Sequence, residues 1–314
     1  MTILGIETSH DDTSIAVVLD GKVLDLWTIS QIDIFKKYGG TIPEISSREH
    51  VKNIAIIQEM VFSKYNKDDF DYIAYTTEPG LIGTLQVGYL FAYAISKVCK
   101  KPLIPVNHLV GHFLSSTLTE NIEFPALCLL VSGGHTQLIY AKNVADLEII
   151  GETLDDAVGE AFDKVSSRLG LGFPGGPLID KLSQTYQGDY ETFTKPHTTN
   201  LLDFSFSGLK TQVLNRVNKA AMKNETIDPI KLAVSFQSTA VEYLIDKTKL
   251  ALEQYPNIKT LVLGGGVSAN TMLRNEFVKL HPNTIVPSLK YATDNGAMIA
   301  QAAYLKLKFE EDNK

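Results

Sequence analysis

The chain has 314 residues, 44% of them hydrophobic and 21% charged, an ordinary globular composition with room for two domains of ~150 residues each. Its 29 basic and 36 acidic side chains leave a net charge of −7, which argues against a protein that grips nucleic acid unaided, because phosphate contacts need a basic surface. The start MTILGIETSHDD lacks the basic and apolar stretches of a signal peptide, and the two cysteines, Cys99 and Cys128, sit in apolar surroundings that suit reduced, buried thiols in the cytoplasm.

Residues 3–29 give two apolar runs around a polar bend, followed by a hairpin turn at Asp20-Gly21. Asp11 and Asp12 lie in that bend and are candidates for chemistry. Over 44–63 the apolar positions Ile45, Val51, Ile54, Ile57 and Val61 form a helical stripe. Residues 84–98 are apolar on most faces, which predicts a helix buried between layers. The apolar run Leu81–Ile95 is broken by Thr84, Gln86 and two glycines, short of the ~20 residues of a membrane span. In His108-Leu-Val-Gly-His112 the spacing puts two imidazoles on one helix face, where they either share a metal or serve as surface or capping histidines. No Glu follows the first His, so the general base of the H-E-x-x-H peptidases is missing.

Residues 126–150 repeat the plan of the N-terminus: apolar run, polar bend, apolar run, turn, third run. This repeat, about 120 residues after the first, suggests a duplicated fold. Its bend, Ser132-Gly-Gly-His-Thr136, allows close backbone approach to an anionic ligand. Asp155, Asp156, Glu160 and Asp163 open a helix and are either site residues or acids that match its dipole. Pro174-Gly-Gly-Pro177 is either a site loop or a simple chain reversal. Polar linkers are expected at 184–200, 218–228 and 281–290. Asp228-Pro229 is an N-cap and first-turn proline opening a helix to about Tyr255. A strand at Thr260–Leu263, a loop at Gly264–Asn270 and a helix at Thr271–Leu280 follow. A last helix runs from about Asp294 to Phe309. Asp294 is either its N-cap or a third, acidic ligand for the histidine pair; an N2O set of that kind suits Fe, Zn or Mn. Strands alternating with helices in both halves make the fold α/β.

The three polar loops at strand ends, Glu7–Thr13, Ser132–Thr136 and Gly264–Asn270, resemble together the two phosphate loops and the adenosine loop of the actin, sugar-kinase and Hsp70 superfamily. Ten ordered motifs narrow the resemblance. They are IETSHDDT (6–13), YGG (38–40), PEISSREH (43–50), NHLVGH (107–112) and LLVSGGHTQL (129–138), then DDAVGEAFDK (155–164), PGGP (174–177), FSFSGLKT (204–211), GGGVSAN (264–270) and TDNGAMIA (293–300). Their order and spacing over residues 3 to about 305 resemble the bacterial branch of the universal tRNA threonylcarbamoyltransferase family.

The resemblance implies a duplicated, two-lobed actin-like fold (RNase H-like) with the active site in the interlobe cleft. One lobe would comprise residues 1–110 completed by 294–314, and the other residues 111–293. It implies one divalent metal ion per subunit, iron(II) or else zinc, on His108, His112 and Asp294. It implies contacts to L-threonylcarbamoyladenylate from Leu130, Val131, Ser132, Gly133, Gly134, Asp163, Gly176, Asp180 and Asn270. The implied reaction moves the threonylcarbamoyl group to N6 of the adenosine 3′ of the anticodon, in tRNAs reading codons that begin with A, and releases AMP. Asp11 and Asp12 are the candidate catalytic acids of the first bend, Asp11 as base or orienter of the amine. Implied partners are tRNA, a degenerate paralogous subunit without metal ligands and a small ATPase; no membrane is implied.

Two positions depart from the family. His10 stands where Cys is usual, which excludes a covalent cysteine mechanism, and Glu78 stands where a glycine is usual. The alternatives on the same fold are an ATP-dependent small-molecule kinase and a non-catalytic nucleotide-binding scaffold. Neutral imidazoles suit Mg²⁺ poorly, and a scaffold has no need of a metal triad.

Overall fold

The computed structural model describes residues 1–313. In chain order the elements are β1 (Thr2–Glu7), β2 (Asp12–Leu19), β3 (Lys22–Ser30), α1 (Ile32–Phe35), α2 (Pro43–Lys64), β4 (Tyr72–Glu78), α3 (Ile82–Cys99), β5 (Leu103–Asn107) and α4 (His108–Leu114). Then come β6 (Ala126–Val131), β7 (Thr136–Ala141), β8 (Leu147–Glu152), α5 (Val158–Arg168), α6 (Gly175–Thr185), α7 (Ser207–Lys223) and α8 (Pro229–Gln254). The chain ends with β9 (Thr260–Gly264), α9 (Thr271–Phe277), β10 (Thr284–Ile285), α10 (Leu289–Ala292) and α11 (Gly296–Asp312). It divides into two compact units, Met1–Asn121 with the chain from Pro287 onward, and Ile122–Val286. A boundary at 110/111 would cut α4 in two; that helix packs on α11 and stays with the first unit.

The first unit holds a five-stranded sheet in the order β3-β2-β1-β4-β5. β1, β2 and β3 form an antiparallel meander, while β4 and β5 run parallel to β1. Side chains alternate across β1, so Leu4 and Ile6 enter a core with Ile54, Ile57 and Val61 of α2 and Ala92 and Ile95 of α3. Gly5 points the other way, onto α11. A Cβ there would run into the Gly296 carbonyl and stand 2.6 Å from the Ala300 nitrogen, so a residue without a side chain lets the helix lie directly on the strand. This close crossing holds the start of α11, and Asp294 just before it, at the carboxyl end of β1.

α3 is not buried between layers as its composition predicts. It is long and apolar enough, by length and composition alone, to cross a membrane, but it packs on β4 and α2. It buries Thr84, Gly88, Ala92, Ile95, Ser96 and Cys99, and leaves Ile82, Leu90 and Val98 more than 60% exposed. Apart from Ile95, its buried stripe is made of small residues, and several large apolar ones face outward.

The second unit repeats the first. Its sheet has the order β8-β7-β6-β9-β10, an antiparallel meander β6-β7-β8 extended by parallel β9 and β10. Duplication of strand order supports the repeat seen in sequence. α8 opens as predicted, with the Asp228 carboxylate accepting from Ile230 N and Lys231 N and Pro229 at the first helical position. Its Phe236, Ala240 and Leu244 share the core with Val158, Phe162 and Val165 of α5 and Leu209 and Val213 of α7.

Several short elements escape the sequence pattern. β4 and β5 have no expected counterpart. Residues 218–223, expected in a linker, close α7. The 281–290 linker contains β10 and the start of α10. Pro174-Gly-Gly-Pro177 is no chain reversal: Pro174 is the N-cap of α6, and the two glycines begin that helix.

Candidate metal centre and nucleotide loops

The carboxyl ends of the parallel strands gather the polar residues of the first unit. Glu7 ends β1, Thr76 lies near the end of β4, and Asn107 ends β5 and caps α4 through Leu109 N and Val110 N. That cap starts the helix at His108 and sets His108 and His112 one turn apart, their rings 4.6 Å between centroids and nearly perpendicular. Asp294 closes the group: its Oδ1 lies 2.9 Å from His112 Nε2 and 3.6 Å from His108 Nε2. The three ligand atoms lie within 4.8 Å of one another, so the group can hold a metal ion. Asp294 does not cap α11; the Asn295 side chain does, accepting from Met298 N. That leaves the Asp294 carboxylate for the histidines.

The surroundings fit a cation. His108 Nδ1 lies 3.0 Å from Glu7 Oε2 and 3.2 Å from Ser9 Oγ, which leaves Nε2 as the ring nitrogen toward Asp294. Glu7 is wholly buried and is itself held by Ser9 N and Thr76 Oγ1, each at 2.5 Å. A carboxylate behind the imidazole of a metal-ligating histidine is the usual orienting arrangement. Burial would lower the His108 imidazole, but the Glu7 and Asp294 charges outweigh it and hold it at about 9. Burial would likewise raise Asp294, and the charge of His108 and the hydrogen bond from His112 bring it down. Asp12 goes the other way. Burial, reinforced by the charges of Asp11, Asp294 and Glu7, pushes it up to about 7, and its Oδ1 is buried without a partner. Four carboxylates crowding one end of a sheet is a field that a divalent ion would neutralise.

The loop carrying Asp11 and Asp12 is pinned by both long helices. The His10 carbonyl accepts from Ser46 Oγ at 2.5 Å and His50 Nε2 at 3.0 Å, and His50 Nδ1 faces Thr13 Oγ1 at 2.7 Å. From α3, Thr84 Oγ1 donates to the Ser9 carbonyl at 3.0 Å and takes up a reciprocal position to Thr8. His10 itself turns outward and pairs with Asp11 at 2.9 Å. Sequence reasoning missed Glu7, Thr76, Ser46 and His50 in these roles. Glu7 had a signal, an acid at the end of an apolar strand run, since a buried charge needs partners.

In the second unit the two glycine-rich loops leave the adjacent parallel strands β6 and β9, paired as far as Leu130 with Gly264. Leu130 and Val131 are fully buried strand residues. Ser132 closes a turn, donating from N to the His135 carbonyl at 2.8 Å and accepting from His135 N at 3.0 Å. Gly133 and Gly134 form the exposed tip, with open space at both Cβ positions, and the Gly133 backbone rests against Gly159 of α5. Gly265 has φ +83°, and a Cβ there would strike the Val131 backbone, so this loop lies flat against the other. Asp163 accepts from Gly175 N at 2.6 Å and ties α5 to the start of α6, where Gly176 stands with no neighbour at its Cβ position. Asp180, buried in α6, accepts from Thr271 N at 3.2 Å and Thr271 Oγ1 at 2.9 Å, and Asn270 caps α9 through Leu273 N. Neither Asp155 nor Asp156 caps α5, and both tie its start to α7. Asp155 accepts from Ser205 Oγ, Phe206 N and Ser207 N at the head of α7, and Asp156 pairs with Lys164 and Lys210.

Two α/β units of one strand order, each with its polar loops at the carboxyl ends of parallel strands, define a protein of the actin-like class. Solved structures agree: HypF from T. kodakarensis aligns with a TM-score of 0.66 at 13% identity over 98% of this chain and 48% of its own. Component A of the Acidaminococcus fermentans (R)-2-hydroxyglutaryl-CoA dehydratase gives 0.54 at 14% identity, over 98% and 99% of the two chains. The chain thus spans about half of the HypF protein.

The family is narrower than the fold. The model of the TsaD family, tRNA N6-adenosine threonylcarbamoyltransferase, matches residues 22–301, and the chain belongs to that family. Proteins of that name from Mycoplasmopsis synoviae (strain 53) and Mycoplasmopsis agalactiae (strain PG2) are 62% and 61% identical, over 98% of this chain and 99% of theirs. One from Fusobacterium nucleatum is 49% identical over 100% of this chain and 94% of its own.

Proposed function

We propose that this chain transfers the threonylcarbamoyl group from L-threonylcarbamoyladenylate to N6 of the adenosine 3′ of the anticodon, in tRNAs reading codons that begin with A, and releases AMP. The observation that carries this proposal is the His108, His112 and Asp294 group, its ligand atoms within 4.8 Å and its first imidazole oriented by a buried carboxylate, in a chain of the threonylcarbamoyltransferase family. One divalent ion held there, iron(II) in our reading and zinc as the alternative, supplies a Lewis acid for the carbamoyl carbonyl.

The chain's own residues do the rest. AMP leaves as a phosphate of low pKa and needs no general acid. The adenine amine is a poor nucleophile because its lone pair is delocalised into the ring, so its proton must be taken as the bond forms. Asp12, whose Oδ1 is buried without a partner, is freer for that task than Asp11, whose carboxylate is paired with His10. Asp11 orients the loop tip. In the second unit the backbone N–H groups of the loop tip at Gly133 and Gly134 stabilise the developing oxyanion. Leu130 to Ser132, Asp163, Gly176, Asp180 and Asn270 shape the place of the adenylate. Holding amine and carbonyl in line is itself a large term, ~7–11 kcal/mol at best.

The partners in this proposal are a paralogous subunit without the metal ligands and a small ATPase, all in the cytoplasm. The net charge of −7 favours a tRNA surface assembled by several subunits. The exposed Ile82, Tyr89, Leu90, Tyr93 and Val98 of α3, beside Val51, Ile56 and Met60 of α2, offer an apolar face of the kind a protein partner covers. The test supplies purified chain, both partners, adenylate with labelled threonine and an unmodified tRNA reading such a codon. Label in the tRNA, absent with a tRNA carrying guanosine at that position, is expected; adenylate turnover without tRNA product would overturn the assignment.

A further inference from the structure

Gln237 lies in the middle of α8 with no exposed surface, and it faces two residues of the proposed adenylate site. Its Oε1 accepts from Asn270 Nδ2 at 2.9 Å, while its Nε2 donates to Ser183 Oγ at 2.6 Å and lies 3.5 Å from Asp180 Oδ1. The polarity of this relay is fixed at both ends. Asn270 spends its oxygen on Leu273 N at 2.9 Å, the cap of α9, so its amide nitrogen must turn to Gln237. Asp180 can only accept, and it already gathers Thr271 N, Thr271 Oγ1 and Gln184 Nε2. The buried side chain between them must therefore accept on one side and donate on the other. A glutamine does both; a glutamate or methionine of similar size does not.

We propose that Gln237 is a positioning residue of the adenylate site, holding Asn270 and Asp180 in one orientation without touching the ligand. The proposal rests on the assignment of Asn270 and Asp180 to that site. The relay links α6, α8 and the end of the loop after β9, so Asn270 is tied to a helix core as well as to the loop's own turn over Gly266–Ala269. Partly satisfied buried networks lose orientation first, and an amide left without its acceptor would let Asn270 swing away.

The test is a double-mutant cycle read by AMP binding and by steady-state transfer. Gln237→Met is expected to weaken AMP by at least about tenfold and to raise KM for the adenylate with kcat little changed. Asn270→Ala should cost a similar factor, and the double variant should bind no worse than Asn270→Ala alone, because the two act as one unit. Wild-type affinity in Gln237→Met, or a double variant whose loss is the product of the two single losses, would overturn the positioning role alone. Failure of the wild type to bind AMP would overturn the site assignment and the positioning with it. Should Gln237→Met not fold, Gln237→Glu decides. It keeps the acceptor for Asn270 but sets a carboxylate against Asp180, so it should weaken AMP binding. Wild-type AMP affinity in Gln237→Glu would overturn the proposal.

Discussion

Glu7 and His108 stand 101 residues apart in the chain, and the Glu7 Oε2 and His108 Nδ1 atoms meet at 3.0 Å in a buried site. The carboxylate fixes which imidazole nitrogen faces Asp294. Glu7→Gln removes the charge and keeps the size, so the fold should survive while the ring loses its anionic acceptor. Metal affinity is expected to fall by roughly 10–100-fold, measured by competition with a chromophoric chelator. Unchanged affinity would mean that Glu7 serves folding alone.

Gly5 meets α11 so closely that any side chain must displace the helix. Gly5→Ala places a Cβ 2.7 Å from the Ala300 Cβ and closer still to the Gly296 carbonyl. Backbone of this kind cannot step aside, so the cost should lie at the upper end of the ~1–3 kcal/mol usual for overpacking. Urea unfolding should show that loss. Because Asp294 precedes the displaced turn, metal retention should fall with it.

Asp12 gives a pH signature in metal-free protein. Its folded value, pushed up to about 7, lies above its ordinary value of 3.8, so between these the folded state binds the proton more tightly than the unfolded chain. Its contribution to stability is therefore greatest below that window and is lost as pH rises through it. Asp12→Asn should be more stable than the wild type at pH 8, and the two should converge near pH 4, in thermal unfolding with chelator present. A bound cation would draw Asp12 down and shrink the difference. A constant gap at both pH values would contradict the environment described for this carboxyl.

Much of the site was legible because its residues come in short, spaced motifs. His108 and His112 announce a shared helix face by their spacing, and Asp228-Pro229 announces a helix start by local chemistry alone. What sequence left open at Asp294, ligand or cap, was decided by its neighbour: Asn295 takes the cap, a choice two adjacent capping residues do not reveal. β4, between β1 and β5, lacks the alternation of a half-exposed strand, and β5 is a five-residue edge strand with a single buried side chain, Val106. α3 misled in the other direction. Its hydrophobicity predicted burial, whereas the inward stripe is mostly small (Thr84, Gly88 and Ala92, with Ile95) and Ile82, Leu90 and Val98 face out. The relay through Gln237 had no sequence signal at all, since a lone glutamine in an apolar helix acquires meaning only when the loop from β9 packs against it.

The account turns on the metal group, and the most direct measurement is metal content of the purified wild type beside His108→Ala, with threonylcarbamoyl transfer to tRNA assayed on the same samples. Near-stoichiometric metal and tRNA product in the wild type, both lost in the variant, is the predicted result. A wild type that binds its partners yet carries no metal, or a His108→Ala chain that keeps both metal and transfer, would contradict it.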